Sequence, residues 1–232
     1  AVDPADEMRT TTALGALAFN LSQAGCDPCL YATAGLQGTS AELVESIETT
    51  VDGIDVFLGR WSGDALLFNS GGGDLNALQD HHYAVALADS GFAFSPTLPS
   101  AQVPEIAVFS LLEATEPTDQ DSNTGTLDTF DLYMDLYMQL VTKMDISISF
   151  DDREISAGLV NAFGFSEGAV AGLSAPLTGT CSGDGCGTTT SLFGTTSLSL
   201  IGSSSEHILG SYALDSVELD QSVFGAYLLG RE

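Results

Sequence analysis

From Gly53 to the C-terminus the chain repeats one pattern: a short run of β-branched, aromatic or aliphatic residues, then a cluster of glycine, serine, aspartate or asparagine. The runs Ile54–Arg60, Ala65–Phe68, His82–Ala88, Ile106–Leu112, Thr126–Met144, Ile146–Phe150, Ile155–Ala162, Thr189–Ile201, His207–Ala213 and Gly225–Leu229 all read as strands. Strict alternation is plainest where Leu132, Met134, Leu136, Met138 and Leu140 are interleaved with Tyr133, Asp135, Tyr137 and Gln139. It returns in Ile146-Ser147-Ile148-Ser149-Phe150. Successive strand side chains point to opposite faces, so these segments carry one apolar face each. Gly71-Gly72-Gly73, Asp151-Asp152, Gly179 to Gly187 and Gly202 to Ser205 supply turns. Many short strands at this spacing, almost without helices, specify a barrel or a sandwich.

Helix signals are confined to the first 50 residues. Asp3 before Pro4, followed by Asp6 and Glu7, reads as the start of one short helix over residues 1–9. Thr39-Ser40-Ala41-Glu42 ahead of Leu43, Val44 and Ile47 reads either as a capping box opening a helix or as the end of a strand. Thr10 to Ser22 is uncharged and strand-like. The expected division is an N-terminal extension over residues 1–50 and a barrel over 51–232.

Thirty-two acidic residues face five basic ones, Lys143 being the single lysine, for a formal charge of −27. Such a chain is repelled by nucleic acid and by anionic membranes. Hydrophobic content of 44% is ample for a buried core, so the acidity reads as a solvated surface or as cation binding. No apolar run reaches the ~18 residues that a membrane-spanning helix needs. The first residue is Ala1, which fits a product of signal peptidase or a shortened chain. The four cysteines form two local pairs, Cys26 with Cys29 in Cys-Asp-Pro-Cys and Cys181 with Cys186 in Cys-Ser-Gly-Asp-Gly-Cys. Two local disulfides in an oxidising compartment are the simplest reading, beside a four-thiolate zinc site and a Cys-x-x-Cys redox site.

Little else in the chain carries chemistry. His81 and His82 are adjacent, so on a strand they face opposite sides and cannot share one site; His207 is the third histidine. There is no P-loop or dinucleotide fingerprint. No enzyme activity and no cofactor are expected, apart from calcium at one loop. In Asp119-Gln120-Asp121-Ser122-Asn123-Thr124-Gly125, the oxygens of Asp119, Asp121 and Asn123 stand at positions one, three and five of a calcium loop. Thr124 and Phe130 occupy the places of the glycine and glutamate of an EF-hand.

Four segments in order carry a family resemblance: Phe57-Leu58-Gly59-Arg60-Trp61-Ser62-Gly63-Asp64, His82-Tyr83-Ala84-Val85-Ala86, the strand and turn from Ile106 to Thr118, and the Cys181–Cys186 hairpin. Glu206 to Glu232 adds a closing pair of strands. Residues 54–232 thereby resemble the C-terminal β-barrel domain of FecR-domain bacterial surface proteins and are similar to transferrin-binding-protein-B-like lipoprotein barrels. Ala86 stands where that pattern has glycine, and Arg231-Glu232 where it has a more basic ending. The resemblance implies an antiparallel up-and-down barrel of about eight strands, secreted or held on the extracellular face of a bacterial outer membrane. It also implies that Trp61 plugs one end of the barrel, against the alternative of a ligand platform beside Arg60. Two functions follow. The first is a structural subunit that self-associates into a filament, with residues 10–22 added as a donor strand to a neighbour. The second is a surface binding module that uses barrel loops.

Overall fold

The structure is a computed structural model that describes residues 7–12, 15–16, 42–62, 65–66, 77–78, 81–88, 103–119, 121–164, 173–186, 190–202, 206–216 and 221–232. The first strands are β1 (Glu7–Thr12), β2 (Gly15–Ala16), β3 (Glu42–Val51), β4 (Ile54–Ser62), β5 (Ala65–Leu66), β6 (Ala77–Leu78) and β7 (His81–Ala88). They are followed by β8 (Ile106–Ala114), β9 (Thr118–Asp119), β10 (Thr126–Asp135), β11 (Leu140–Phe150), β12 (Arg153–Leu159), β13 (Phe163–Gly164) and β14 (Leu173–Gly183). The last three are β15 (Thr190–Ile201), β16 (His207–Ser216) and β17 (Gln221–Arg231). The only helical turn among the described residues is the 3-10 turn Asp184–Cys186.

Eight antiparallel strands close a ring in the order β8-β10-β11-β12-β14-β15-β16-β17 and back to β8. Its interior is filled by layers of inward side chains. One layer runs Phe130, Ile146, Ala157, Gly179, Leu192 across five neighbouring strands. A Cβ on Gly179 would stand 2.5 Å from the Ser156 carbonyl oxygen, so only glycine fits that rung. At the centre the Phe130 and Tyr227 rings lie 4.1 Å apart, with Tyr212 6.4 Å from Tyr227. Tyr227 is opposite Gly210 and Tyr212 opposite Gly225, and each ring covers the bare backbone of the glycine facing it. Tyr83 covers Gly59 in the same way on β7 and β4. A glycine that would weaken a strand becomes the seat of a large apolar ring.

The other sheet has the order β2-β1-β7-β4-β3. Ile54, Val56 and Leu58 of β4 with Ala84 and Ala86 of β7 pack on Ile201, Leu209, Ala226 and Leu228, which point outward from β15, β16 and β17. The fold therefore has two cores, one inside the barrel and one between the sheet and the barrel's outer wall.

Several expectations are corrected by this architecture. Residues 54–62 and 81–88 belong to the N-terminal sheet, and the ring of strands begins at Ile106. Residues 7–9 lie on β1 in place of the expected short helix, and of the two readings left open after Thr39 the strand is the one observed, as β3. From Val44 to Val51 exposed and half-buried residues alternate one by one, a period of two that overrides the capping signal. Residues 10–12, the start of the expected donor strand, pair within the same chain, with Thr10 opposite Val85 and Thr12 opposite Tyr83. The rest of 10–22, apart from Gly15–Ala16, lies outside the described residues, as do Cys26 and Cys29. The single strand read over 126–144 is broken at residues 136–139. There the Asp135 carboxylate accepts the N–H groups of Tyr137 and Met138, and Gln139 turns to φ 56°. Strand β14 was hidden by Pro176 and Gly179, residues that argue against strand.

Candidate functional sites at the two barrel ends

The first end is organised by Asp119. Chain leaving β8 crosses β17 at Thr115, whose N–H donates to the Ala226 carbonyl and whose hydroxyl accepts the Ala226 N–H, both at 3.0 Å. β9 then pairs with β17 and delivers Asp119 to the barrel mouth. Strand β12 is four places from β17 whichever way the ring is counted, and Arg153 at its start donates to Asp119 across that mouth. Both side chains are buried. Asp119 Oδ1 also accepts the backbone N–H groups of Asp121 and Asn123, each at 2.9 Å, and Oδ2 accepts Asn123 Nδ2 at 2.9 Å. Burial alone would raise the Asp119 pKa, but hydrogen bonds from Asn123 and Arg153 outweigh it and hold the carboxyl below its ordinary value. The Arg153 guanidinium also lies 4.5 Å over the Phe150 ring.

This geometry places the three expected calcium ligands in distinct roles. The Asp119 carboxylate is committed to N–H donors, while Asp121 and Asn123 are exposed. Among the described residues no group of three His, Cys, Asp or Glu side chains is arranged to hold a metal ion. Sequence reasoning missed Arg153 as the partner of Asp119. The signal was available, because the chain has only five basic residues and an arginine at the start of an inward-facing strand position needs a buried acid. Beside this ion pair an open cleft of about 510 Å³ is lined by Ser122, Asn123, Thr124, Phe150, Asp151 and Asp152. The expected Cys181–Cys186 disulfide is present near it, with Cα atoms 5.6 Å apart, and the Gly185 N–H donates to the Asp152 carbonyl at 3.3 Å.

The same loop is clamped to the N-terminal sheet. Register sets Glu45, Arg60 and His82 side by side across β3, β4 and β7. The Glu45 carboxylate accepts the Glu116 N–H at 3.0 and 3.1 Å and faces Arg60 Nε at 3.5 Å. Burial pushes its pKa up, against the lowering effect of those partners. His82 is fully buried, with Nδ1 2.8 Å from the Thr115 hydroxyl and Nε2 2.6 Å from that of Thr118. His207 lies elsewhere, 3.3 Å from Asp52 in the β3–β4 turn. Trp61 follows Arg60 on β4, with its backbone opposite Leu43 and His81; the side chains of Trp61 and His81 lie outside the described residues.

The second end is apolar. The turn after β10 is held by Asp135 and by the Leu136 N–H, which donates to the Glu105 carbonyl at 2.9 Å. That bond and the pairing of Asp135 with Ile106 bring the turn beside residues 103–106. Tyr137 and Met138 are 58% and 56% exposed, Val103 and Ile106 65% and 53%. Four large apolar side chains thus stand in solvent on one rigid corner.

Several solved structures are similar to this chain. A transferrin binding protein B mutant from Haemophilus parasuis Hp5 has a TM-score of 0.43 at 9% identity, over 97% of this chain and 44% of that one. The isotype 1 transferrin binding protein B from serogroup B Neisseria meningitidis has a TM-score of 0.44 at 10% identity, over 98% and 43%. A protein described as a surface lipoprotein has a TM-score of 0.33 at 8% identity over 100% of both chains. The chain spans less than half the length of the two transferrin binding proteins. No protein-family model and no curated protein matches it.

Proposed function

We propose that the chain is an exported cell-surface binding module that meets a partner with its barrel-end loops. The observation that carries this reading is the exposed corner formed by Val103, Ile106, Tyr137 and Met138, where two N–H bonds to the Asp135 carboxylate and one to the Glu105 carbonyl hold the turn. Exposed aromatic and methionine side chains on a pre-ordered turn are the composition of binding hot spots, because little freedom is lost when a partner covers them. The barrel interior is filled by side chains at its centre, so the barrel serves as a scaffold and recognition falls to its rim. Export is supported by the Cys181–Cys186 disulfide. Acting by binding rather than catalysis agrees with the chemistry at the Asp119 end, where the ionisable groups brought together are paired with one another.

The test is site-specific photo-crosslinking on cells displaying the protein in their native medium. A benzoylphenylalanine at position 137 is expected to give discrete adducts that the same probe at position 147, on the outer wall, does not. Equal adducts from both positions overturn the reading, and adducts consisting only of multimers of this chain return it to a self-assembling subunit.

A further inference from the structure

The cleft at the Asp119 end has a ligand chemistry of its own. Its volume of about 510 Å³ lies within the range of small-molecule sites, roughly 300–1,000 Å³. Two hydroxyls (Ser122, Thr124), one amide (Asn123), two carboxylates (Asp151, Asp152) and one aromatic ring (Phe150) line it. Each candidate class of ligand can be set against that lining. An anion finds no cationic side chain among the lining residues and meets a chain of charge −27. A metal ion finds two carboxylates on neighbouring turn residues and no third acid placed with them, Asp119 being engaged by Arg153. A purely apolar ligand would cover the Asp151 carboxylate without giving it a donor, at a cost.

Two lining groups already have partners, since the Asn123 amide donates to Asp119 and Asp152 Oδ1 faces Arg153 Nη1 at 3.6 Å. A neutral polyhydroxylated ligand satisfies what is left: the Asp151 carboxylate, the remaining lone pairs of Asp152 and Asn123, and the Ser122 and Thr124 hydroxyls. Carboxylates accept from pairs of vicinal hydroxyls, an amide and serine or threonine hydroxyls both donate and accept, and the C–H face of a sugar ring packs on an aromatic. The frame is pre-ordered for such work. Phe150 carries the Arg153 guanidinium 4.5 Å from its ring centre, Asn123 is fixed by the Asp119 carboxylate, and the Asp152 backbone is bonded to Gly185 beside the disulfide. We propose that this cleft binds a neutral saccharide, as a mono- or disaccharide or as the terminus of a glycan, with Asp151 and Asp152 accepting its hydroxyls and Phe150 supporting its ring. The site is at the opposite end of the barrel from the apolar corner, so its failure leaves the reading of that corner intact.

Saturation-transfer NMR on the intact chain tests it, with methyl glycosides of neutral hexoses and a set of neutral disaccharides as probes, beside sialic acid, spermidine and calcium. At least one neutral sugar is expected to receive saturation and to shift the resonances of residues 122–124 and 150–152. Asp151→Ala, at an exposed turn position, should weaken that binding tenfold or more at unchanged melting temperature. Thr124→Val should weaken it less. The proposal is overturned if no neutral sugar binds, if Asp151→Ala and Thr124→Val leave binding unchanged, or if spermidine or calcium is the only probe that shifts the cleft.

Discussion

The barrel has two kinds of wall. On β10, β11 and β12 the inward residues other than Arg153 at the mouth are apolar, while Asp128, Thr129, Lys143, Glu154 and Ser156 point to solvent. On β16 and β17 both faces are covered, so Ala226, Tyr227, Leu228 and Leu229 are buried in succession. The first wall is written as Ile-Ser-Ile-Ser, the second as Gly-Ala-Tyr-Leu-Leu-Gly. The difference teaches that the period of two reports how many faces of a strand are wet, and a lost period marks the place where a second layer sits.

The largest expected effect breaks the tie between opposite walls. Asp119→Ala leaves the Arg153 guanidinium buried without its carboxylate and should cost about 3–5 kcal/mol in urea denaturation. The acid side of the stability profile reads the same pair. The Asp119 carboxyl titrates lower in the folded chain than its ordinary 3.8. Its stabilisation is therefore present above that value and lost as pH falls through the lower folded one, and Asp119→Asn should flatten that part of the curve. A loss below 1 kcal/mol for the alanine variant would mean that the pair does not hold the mouth together.

Next comes the contrast itself. Leu228→Ala, facing outward on the covered wall, should cost about 2–5 kcal/mol, whereas Ser147→Ala, facing outward on the wet wall, should stay within about 0.5 kcal/mol. Equal losses would remove the distinction between the walls. Replacing Cys181 and Cys186 together by serine opens a loop of sequence separation five, for an expected loss of about 2 kcal/mol by chain entropy. Thermal unfolding under non-reducing conditions measures it.

The smallest effects lie inside the barrel. The Tyr227 hydroxyl is 2.7 Å from that of Thr196, while the buried Tyr212 hydroxyl has no hydrogen-bond partner among the described residues. Tyr227→Phe should cost about 1 kcal/mol, and Tyr212→Phe should be neutral or stabilise by up to about 1 kcal/mol. A reversed order in calorimetry would show that solvent reaches Tyr212 from within.

Most barrel strands were legible because each has an apolar inner face, and each run read between Ile106 and Leu229 overlaps an observed strand, although Ile155–Ala162 runs past the end of β12 at Leu159. The break at 136–139 was not legible, since Leu-Tyr-Met-Gln has no glycine or proline and the turn is made by the Asp135 side chain. Of the site residues, Asp119 and Asn123 were singled out as oxygen ligands of a calcium loop, and in the fold Asn123 donates to the Asp119 carboxylate. Their role was set by Arg153, thirty-four residues away, which no local pattern connects to them. The exposed Tyr137 and Met138 were read as part of an alternating strand, one facing each way.

What the sequence by itself determined is the all-β class, the position of most strands and the local Cys181–Cys186 bridge, because each depends on residues within one or two turns of one another. Only the tertiary structure decided that 54–62 and 81–88 leave the barrel to form a covering sheet, that β1 pairs at home with β7, and that the Asp119 carboxylate meets the Arg153 guanidinium. Those outcomes depend on which strand edge and which buried charge come together from distant parts of the chain, and local residue patterns are the same for every such pairing.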